Sequence, residues 1–558
     1  MQPRDTRDPK GGKAEPVMSR RRQQTASEHG AAQDFPGVGR RACDDSSTRN
    51  RRGPTQRPTS GEGGPYKPKA KGVRAGRESE GCVVPTRPAA TTPAEGRDPA
   101  LVARVAGGKC EGMAARPNNP DDKVRQLQHA LFRAAKRDPG RRFHALFDRI
   151  WRSDVLQKAW ERVRSNDGAA GVDGVSLAMI EQRGVAYFLA EVRDEIRNGH
   201  YRPQPVRRVW LRKPDGRMRP LGIPTVRDRV VQMATKIVIE PIFEAGFEEC
   251  SYGFRPMRST TQALEKIRIE GGRGRHFVVD GDIQSFFDTI DKTGLMELVE
   301  RRICDRRVLK LIRKWLDAGV LAEENVVRHE ATGTPQGGVI SPLLANIVLH
   351  ELDREWQRDC QHLGILVRYA DDFVVLCERE SQATAALQQL REIFARLKLT
   401  LHPEKTKLVQ IGLGKDGFDF LGCHLRIVKS RFKGRTYLFR WPSVKSMKKV
   451  RSRVRELTDK RRRAGLKDVD EVIADLNPVL KGWGNYFRTG NASKQFQQVD
   501  YYVWRRITRM LGKQRGFHGH RLAWRVAQQR RAWPLEKLRA RGLHKLLGTI
   551  HYPGSKTT

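Results

Sequence analysis

No run in the 558-residue sequence approaches the apolar length of a membrane-spanning helix, roughly 20 residues. No apolar segment follows a short basic N-terminus, so a secretory signal is not expected. The eight cysteines, at 43, 82, 110, 250, 304, 360, 377 and 423, are scattered, and none forms a C-x-x-C pair. That spacing argues against a disulfide framework and against a cysteine-ligated structural zinc, whose ligands come in close pairs. Acid is scarce too. The 64 Asp and Glu face 107 Lys and Arg, a formal net charge of +43. Such a chain repels itself unless a polyanion neutralises it. With no membrane anchor in view, the expected polyanion is nucleic acid and the expected location is the cytoplasm, in a bacterium the cytoplasm or nucleoid.

Residues 1–112 are rich in Gly, Pro, Ser, Thr and Arg, with few large apolar side chains. Stretches such as TQRPTSGEGGPYKPKAKG cannot bury enough surface to offset the entropy of ordering, so a disordered basic leader is expected. Its many acids argue against a transit peptide, and Met113 is a second candidate for the start. Helical periodicity begins at Asp121, with Val124, Leu127, Leu131 and Phe132, then Phe143, Leu146, Phe147, Ile150 and Trp151. SNDGAAGVDGVS (165–176) reads as a loop leading into another helix. From Tyr201 to about Leu425 short apolar strands alternate with helices. From Arg440 onward the sequence reads as helical and basic, without strand alternation.

Carboxylates carry the first chemical signal. HFVVDGDIQSFFDTID starts as an apolar strand and delivers Asp282 near its end, with Asp280 on the same face because strand side chains alternate. ILVRYADDFVVLC (365–377) reads apolar run, two acids, apolar run, the pattern of a β-hairpin with Asp371 and Asp372 at its turn. Two carboxylates ~4 Å apart at an effective dielectric near 20 repel by about 4 kcal/mol. Divalent metal turns that repulsion into coordination. Two carboxylates from one hairpin and one from a neighbouring strand can hold two Mg²⁺ ions about 3.5–4 Å apart. Adjacent aspartates are also common in exposed turns. The flanking apolar strands and Asp282 favour the metal reading.

These blocks, with others in order, resemble the group II intron-encoded reverse transcriptase/maturases, over about residues 150–515. YADD (369–372) is similar to the polymerase turn of that family and DGDIQSFFDTID (280–291) to its first metal-ligand motif. GTPQGGVISPLLANIVLHELD (333–353) is similar to the template-and-nucleotide motif. KPDGRMRPLGIPTVRDRVVQ (213–232) and CSYGFRPMRSTTQAL (250–264) are similar to the fingers blocks. HPEKTKLV (402–409) and FDFLGCHL (418–425) resemble the last palm blocks, and NDGAAGVDGVS the extra N-terminal block. The fold this implies is an α/β (α+β) right-hand polymerase fold. Fingers and palm over 113–430, with an N-terminal extension 113–200 and a small sheet flanked by helices, would precede an all-helical thumb/maturase domain over 431–516.

The resemblance implies roles. Asp282 and Asp371 would be the principal ligands of two Mg²⁺ ions, with Asp372 accessory, and Lys405 the acid that protonates leaving pyrophosphate. Phe287 would lie under the sugar and select deoxynucleotides. Phe286 is the alternative, and a plain core phenylalanine the bland reading of either. Lys213 and Arg219 would grip the triphosphate, as cations suit a polyanion. Gln336, Gly337 and Gly338 would touch nucleotide and template, glycine letting the backbone come close. A cap-then-proline helix start follows at Ser341 and Pro342.

In the basic C-terminal third, Val444, Met447, Val450, Val454 and Leu457 form one helical stripe, and Phe496, Val499, Val503, Ile507 and Met510 another. Arg505, Arg506 and Arg509 lie off the second stripe and are candidate RNA contacts. LKGWGNYFRTGN (480–491) reads as a glycine break with exposable aromatics. GWGNYF followed by a Tyr-Tyr-x-x-Trp-Arg-Arg helix resembles the maturase domain. Residues 517–558 read as a basic extension and a candidate for DNA binding. They hold no cysteine and too few histidines, His518, His520 and His551 among them, for the family's endonuclease domain, so no endonuclease activity is expected. The implied function is RNA-directed DNA polymerase and intron maturase. The implied partners are a group II intron RNA, RNA template and DNA primer, deoxynucleoside triphosphates and target DNA, with no membrane. Two alternatives remain: a reverse transcriptase of a retron, diversity-generating or defence element, which would not need the GWGNYF region, and a polymerase-inactive RNA-binding splicing factor.

Overall fold

The computed structural model describes residues 120–212, 216, 218–321, 327–328, 337–430, 434–459, 468–513 and 519–552. The leader expected over 1–112 lies outside them. Three sheets organise the described chain. The fingers hairpin pairs Val206–Arg212 with Met218–Ile223 antiparallel, and short strands Val320–Leu321 and Val327–Arg328 extend it. The palm sheet runs Ile365–Tyr369, Asp372–Cys377, Phe277–Gly281, Lys407–Gln410, all antiparallel. A third sheet joins Phe418–Phe420, Cys423–Lys429 and Thr436–Pro442. None of the described helices is long and apolar enough to cross a membrane.

The palm strands read as continuous apolar runs because they are covered on both faces. Val278, Val279, Val374 and Val375 have no exposed surface. One face packs on the helices Ser341–Glu355 and Glu380–Arg396, part of a core that continues into the helices of residues 120–165 and Val226–Glu244. The other joins the third sheet and the thumb in a second core. The N-terminal loop is docked: a Cβ on Gly171 would come within 2.7 Å of the Thr225 backbone, and Arg207 Nη donates to the Ala170 carbonyl at 2.7 Å. The loop of the extra N-terminal block thus braces the fingers.

Three sequence expectations change in the C-terminal third. The strand Thr436–Pro442 carries sheet structure past residue 430, and the helices begin at Val444. GWGNYF is not a break. It lies inside the helix Val469–Phe487, with Trp483 and Phe487 buried. Gly484 lets Leu546 pack close, since a Cβ there would meet Leu546 Cδ2 at 2.6 Å and that side chain would have to shift. Nor do the last residues stand apart. Leu538, Leu543 and Leu546 are buried in the thumb core, and the Asp500 carboxylate accepts from the N–H groups of Leu546 and Leu547 at 3.1 and 3.0 Å. Packing therefore runs across the expected 516/517 boundary.

Candidate active site

The YADD hairpin forms where the two apolar runs flank the acids. Tyr369 pairs with Asp372, leaving Ala370 and Asp371 as a two-residue turn. Only the first has positive φ, +58° at Ala370, the position where II′ hairpin turns normally carry glycine. A non-glycine residue there costs about 1–3 kcal/mol and persists only if its surroundings enforce it. They do so on two sides. Gly253 of the SYGF segment presses on the turn, where its Cβ would come within 2.2 Å of Ala370 N. The flanking strand is clamped by hydrogen bonds from Tyr252 N to Arg368 O and from Arg368 N to Cys250 O, both 2.8 Å.

Asp282 comes to the same place from the central strand. Gly281 faces Phe373 across the antiparallel pair, so Asp282, one residue on, comes level with the turn. Gly281 must be glycine, since a Cβ would lie 2.2 Å from the Phe373 ring. The HPEKT segment wraps the other side: His402 N donates to the Asp282 carbonyl at 2.8 Å, and Lys405 Nζ to Asp282 Oδ2 at 2.8 Å. All three aspartates are half-buried. Burial, then the charges of Asp371 and Asp282, pushes Asp372 up to about 7. Burial, then Asp282, pushes Asp280 to about 7 as well. Gathering these acids is unfavourable without added positive charge.

The donor set fits a hard divalent cation, being carboxylate oxygen throughout. Among the described residues no three His, Cys, Asp or Glu groups are already arranged to hold an ion. The Lys405 ammonium stands in as the cation on Asp282.

The other expected residues fall variously. Lys213 and Gln336 lie outside the described residues, as does the side chain of Arg219, whose backbone pairs with Leu211 in the fingers hairpin. Gly337 has φ +108°, and its Cβ would meet Gly222 O at 2.3 Å, so the Gly-Gly loop lies directly on the fingers strand. Gly338 leads to the helix Ser341–Glu355. That helix starts at Ser341, whose side chain is not the cap. Instead Gln232 Oε1 accepts from Val339 N at 2.8 Å. Phe286 is buried and Phe287 half-buried, their rings edge-on at 5.3 Å, so Phe287 is the one with a face to offer. Arg505 and Arg509 are exposed. Arg506 is turned back, its Nε donating to Thr458 Oγ1 at 2.9 Å and its Nη2 to the Arg455 carbonyl at 3.3 Å at the end of the helix Val444–Leu457. It thus contacts the C-terminal end of that helix, a partnership that the sequence spacing could not reveal.

Residues 211–425 match the family model "Reverse transcriptase (RNA-dependent DNA polymerase)", and residues 447–539 match "Group II intron, maturase-specific domain". Protein YkfC of Escherichia coli K12 is 37% identical over 348 residues, 55% of this chain and 90% of that protein. The group II intron-encoded protein LtrA of Lactococcus lactis is 30% identical over 452 residues, 65% of this chain and 73% of LtrA. The chain belongs to the group II intron-encoded reverse transcriptase/maturases. An uncharacterized 91 kDa protein in the cob intron of Schizosaccharomyces pombe is 28% identical over 432 residues, 64% of this chain and 52% of that protein. This reverse transcriptase/maturase is an RNA-directed DNA polymerase of the divalent-metal-dependent kind, with nucleic-acid substrates and intron RNA as partner. The maturase-specific match follows the polymerase match in the chain, a region that a retron-type enzyme would not need, which sets that reading aside.

Proposed function

We propose that the enzyme extends a DNA primer on an RNA template, intron RNA included, at a site where Asp282, Asp371 and Asp372 hold two Mg²⁺ ions. What supports this is the register that brings Asp282 level with the YADD turn, together with the raised Asp372. The bound ions would supply Lewis-acid activation of the primer hydroxyl and neutralise charge on the triphosphate. The protein's own groups do the rest. Asp282 is offered from a rigid central strand and Asp371 from a clamped turn, so neither must be ordered at the moment of reaction. Lys405, whose ammonium lies 2.8 Å from Asp282 Oδ2, would serve as the proton donor to the leaving pyrophosphate. Phe287 presents its half-buried ring under the deoxyribose. Gly337 and Gly338 let the loop backbone approach the incoming deoxynucleoside triphosphate and template, with Gln336, Lys213 and Arg219 as the further contacts. Arg505 and Arg509 bind RNA phosphates, and the basic helix Gly519–Ala532, with exposed Trp524, takes target DNA.

Primer extension on poly(rA)/oligo(dT) tests the core of this. Wild-type protein should extend the primer only with divalent metal present. Asp371→Ala should abolish extension and leave RNA affinity within about twofold, because the basic surface that neutralises phosphate is elsewhere. Near-wild-type extension by Asp371→Ala would overturn the assignment.

A further inference from the structure

Arg368 is the last residue but one of the strand Ile365–Tyr369 that leads into the YADD turn, and its side chain is fully buried, as is that of Asp353. A guanidinium carries five N–H donors in a rigid planar fork. Here every one has an acceptor. Nε donates to Asp353 Oδ1 at 2.7 Å. Nη1 donates to Asn346 Oδ1 at 3.1 Å and to the Ala370 carbonyl at 2.9 Å. Nη2 donates to Ser251 Oγ at 2.8 Å and to Asp353 Oδ2. One side chain thereby joins the helix Ser341–Glu355, the SYGF segment and the turn itself. Asn346 closes the ring: its amide donates to the Gly253 carbonyl at 2.8 Å, and Gly253 is the residue that presses on Ala370 N.

Stability alone does not account for this arrangement. A buried ion pair can usually be replaced by apolar side chains of similar volume without loss. Apolar side chains could not hold the Ala370 carbonyl, and Ala370 is the residue in left-handed backbone next to Asp371. We infer that Arg368, together with Asn346, is a positioning residue for polymerisation. It fixes the left-handed turn at Ala370 and so holds the Asp371 and Asp372 carboxylates where, with Asp282, they receive divalent metal. The inference rests on those three aspartates being the metal ligands.

The test uses the full-length protein bound to template–primer without nucleotide. Mn²⁺ is titrated and binding followed by loss of the free-ion electron paramagnetic resonance signal. The Mg²⁺ concentration for half-maximal extension is measured in parallel. Arg368→Lys keeps a charge but loses the fork, and should weaken metal binding roughly 10–100-fold, the usual effect of removing a group that orients metal ligands. Asn346→Ala keeps the Arg368–Asp353 pair and should weaken it by about threefold or more. RNA affinity should stay within about twofold in both. A role in packing alone would lower the folded fraction and the maximal rate but not move either metal midpoint. Wild-type Mn²⁺ affinity in folded Arg368→Lys, or in Asn346→Ala if the lysine variant does not fold, overturns the inference. Asp371→Ala in the same titration separates the two readings, since wild-type Mn²⁺ affinity there would sink the ligand assignment itself.

Discussion

In the palm the charged groups that matter are inside. Arg368 and Asp353 are fully buried and hold each other from different segments, and Asp372 is half-buried. In the thumb the arginines proposed to meet RNA lie outside. The helix Ser493–Lys513 is held by Phe496, Val499, Val503 and Ile507, all buried, while Arg505 and Arg509 face solvent. The difference follows from what each charge must do. Carboxylates that receive metal must be fixed relative to each other, which takes buried, fully satisfied networks. Arginines that neutralise phosphates act largely by number and need only lie on the right face. Palm substitutions should therefore act sharply and one at a time, thumb substitutions weakly and in sum.

The largest contrast after the metal ligands themselves should come from Lys405. As proton donor it is worth roughly 10²–10⁴-fold in rate. Lys405→Gln should lower single-turnover extension by a factor in that range and leave RNA affinity unchanged. The metal midpoint should fall or stay put, because the ammonium no longer competes for Asp282. A rate loss under twofold would remove Lys405 from the chemistry and leave it as a stand-in cation only.

Phe287 against Phe286 gives a smaller effect within the palm. Phe287→Ala should raise ribonucleotide incorporation relative to deoxynucleotide by about 10–100-fold, a range set by how weakly pocket shape alone discriminates. Phe286→Ala should instead cost about 3–5 kcal/mol of stability, as a core truncation does, without changing sugar selection. Competition between matched ribo- and deoxynucleotides, with melting curves, checks both. If the selectivity change follows Phe286, the two roles are exchanged.

The palm hairpin was legible because apolar runs flanked an acidic pair, and a strand and a turn are local objects. What the sequence hid is mostly non-local. Arg368 was one of 107 Lys and Arg, and nothing next to it names Asp353 or Ser251 as partner. A signal was present all the same: a lone arginine inside the apolar run ILVRY, which a buried strand tolerates only if the charge is paired. Asp353, at the end of the apolar helix ANIVLHELD, carried the matching signal. GWGNYF misled because glycine is a poor helix former. The side chain packed against it, Leu546, lies 62 residues on from Gly484. The Asp500 clamp on Leu546 and Leu547 spans a similar gap of 46 and 47 residues.

The smallest and most graded effect belongs to the thumb arginines. Arg505 lies within 5.8 Å of the exposed Tyr501 ring, one turn away, and Arg509 follows on the next turn, so the two line one exposed strip of the helix. If each neutralises one phosphate, reversing both to Glu should flatten the plot of log affinity against log salt by roughly 0.7–0.9 per contact. Assisted splicing should weaken with it. Extension on a short primer–template at saturating enzyme should be nearly spared, because the metal site is built elsewhere. Arg506→Glu is the internal control. It removes the bonds to Thr458 and the Arg455 carbonyl, so it should lower thumb stability by about 1–2 kcal/mol while leaving the salt slope alone. Filter binding from low to physiological salt, beside a thermal melt, reads both. If the Arg505/Arg509 double reversal leaves the slope and splicing of the cognate intron untouched, this helix is scaffold and the RNA lies on another face. If Arg506→Glu flattens the slope as strongly as the other two, its contacts with the helix end are not its role, and the thumb uses its charges less selectively than the geometry implies.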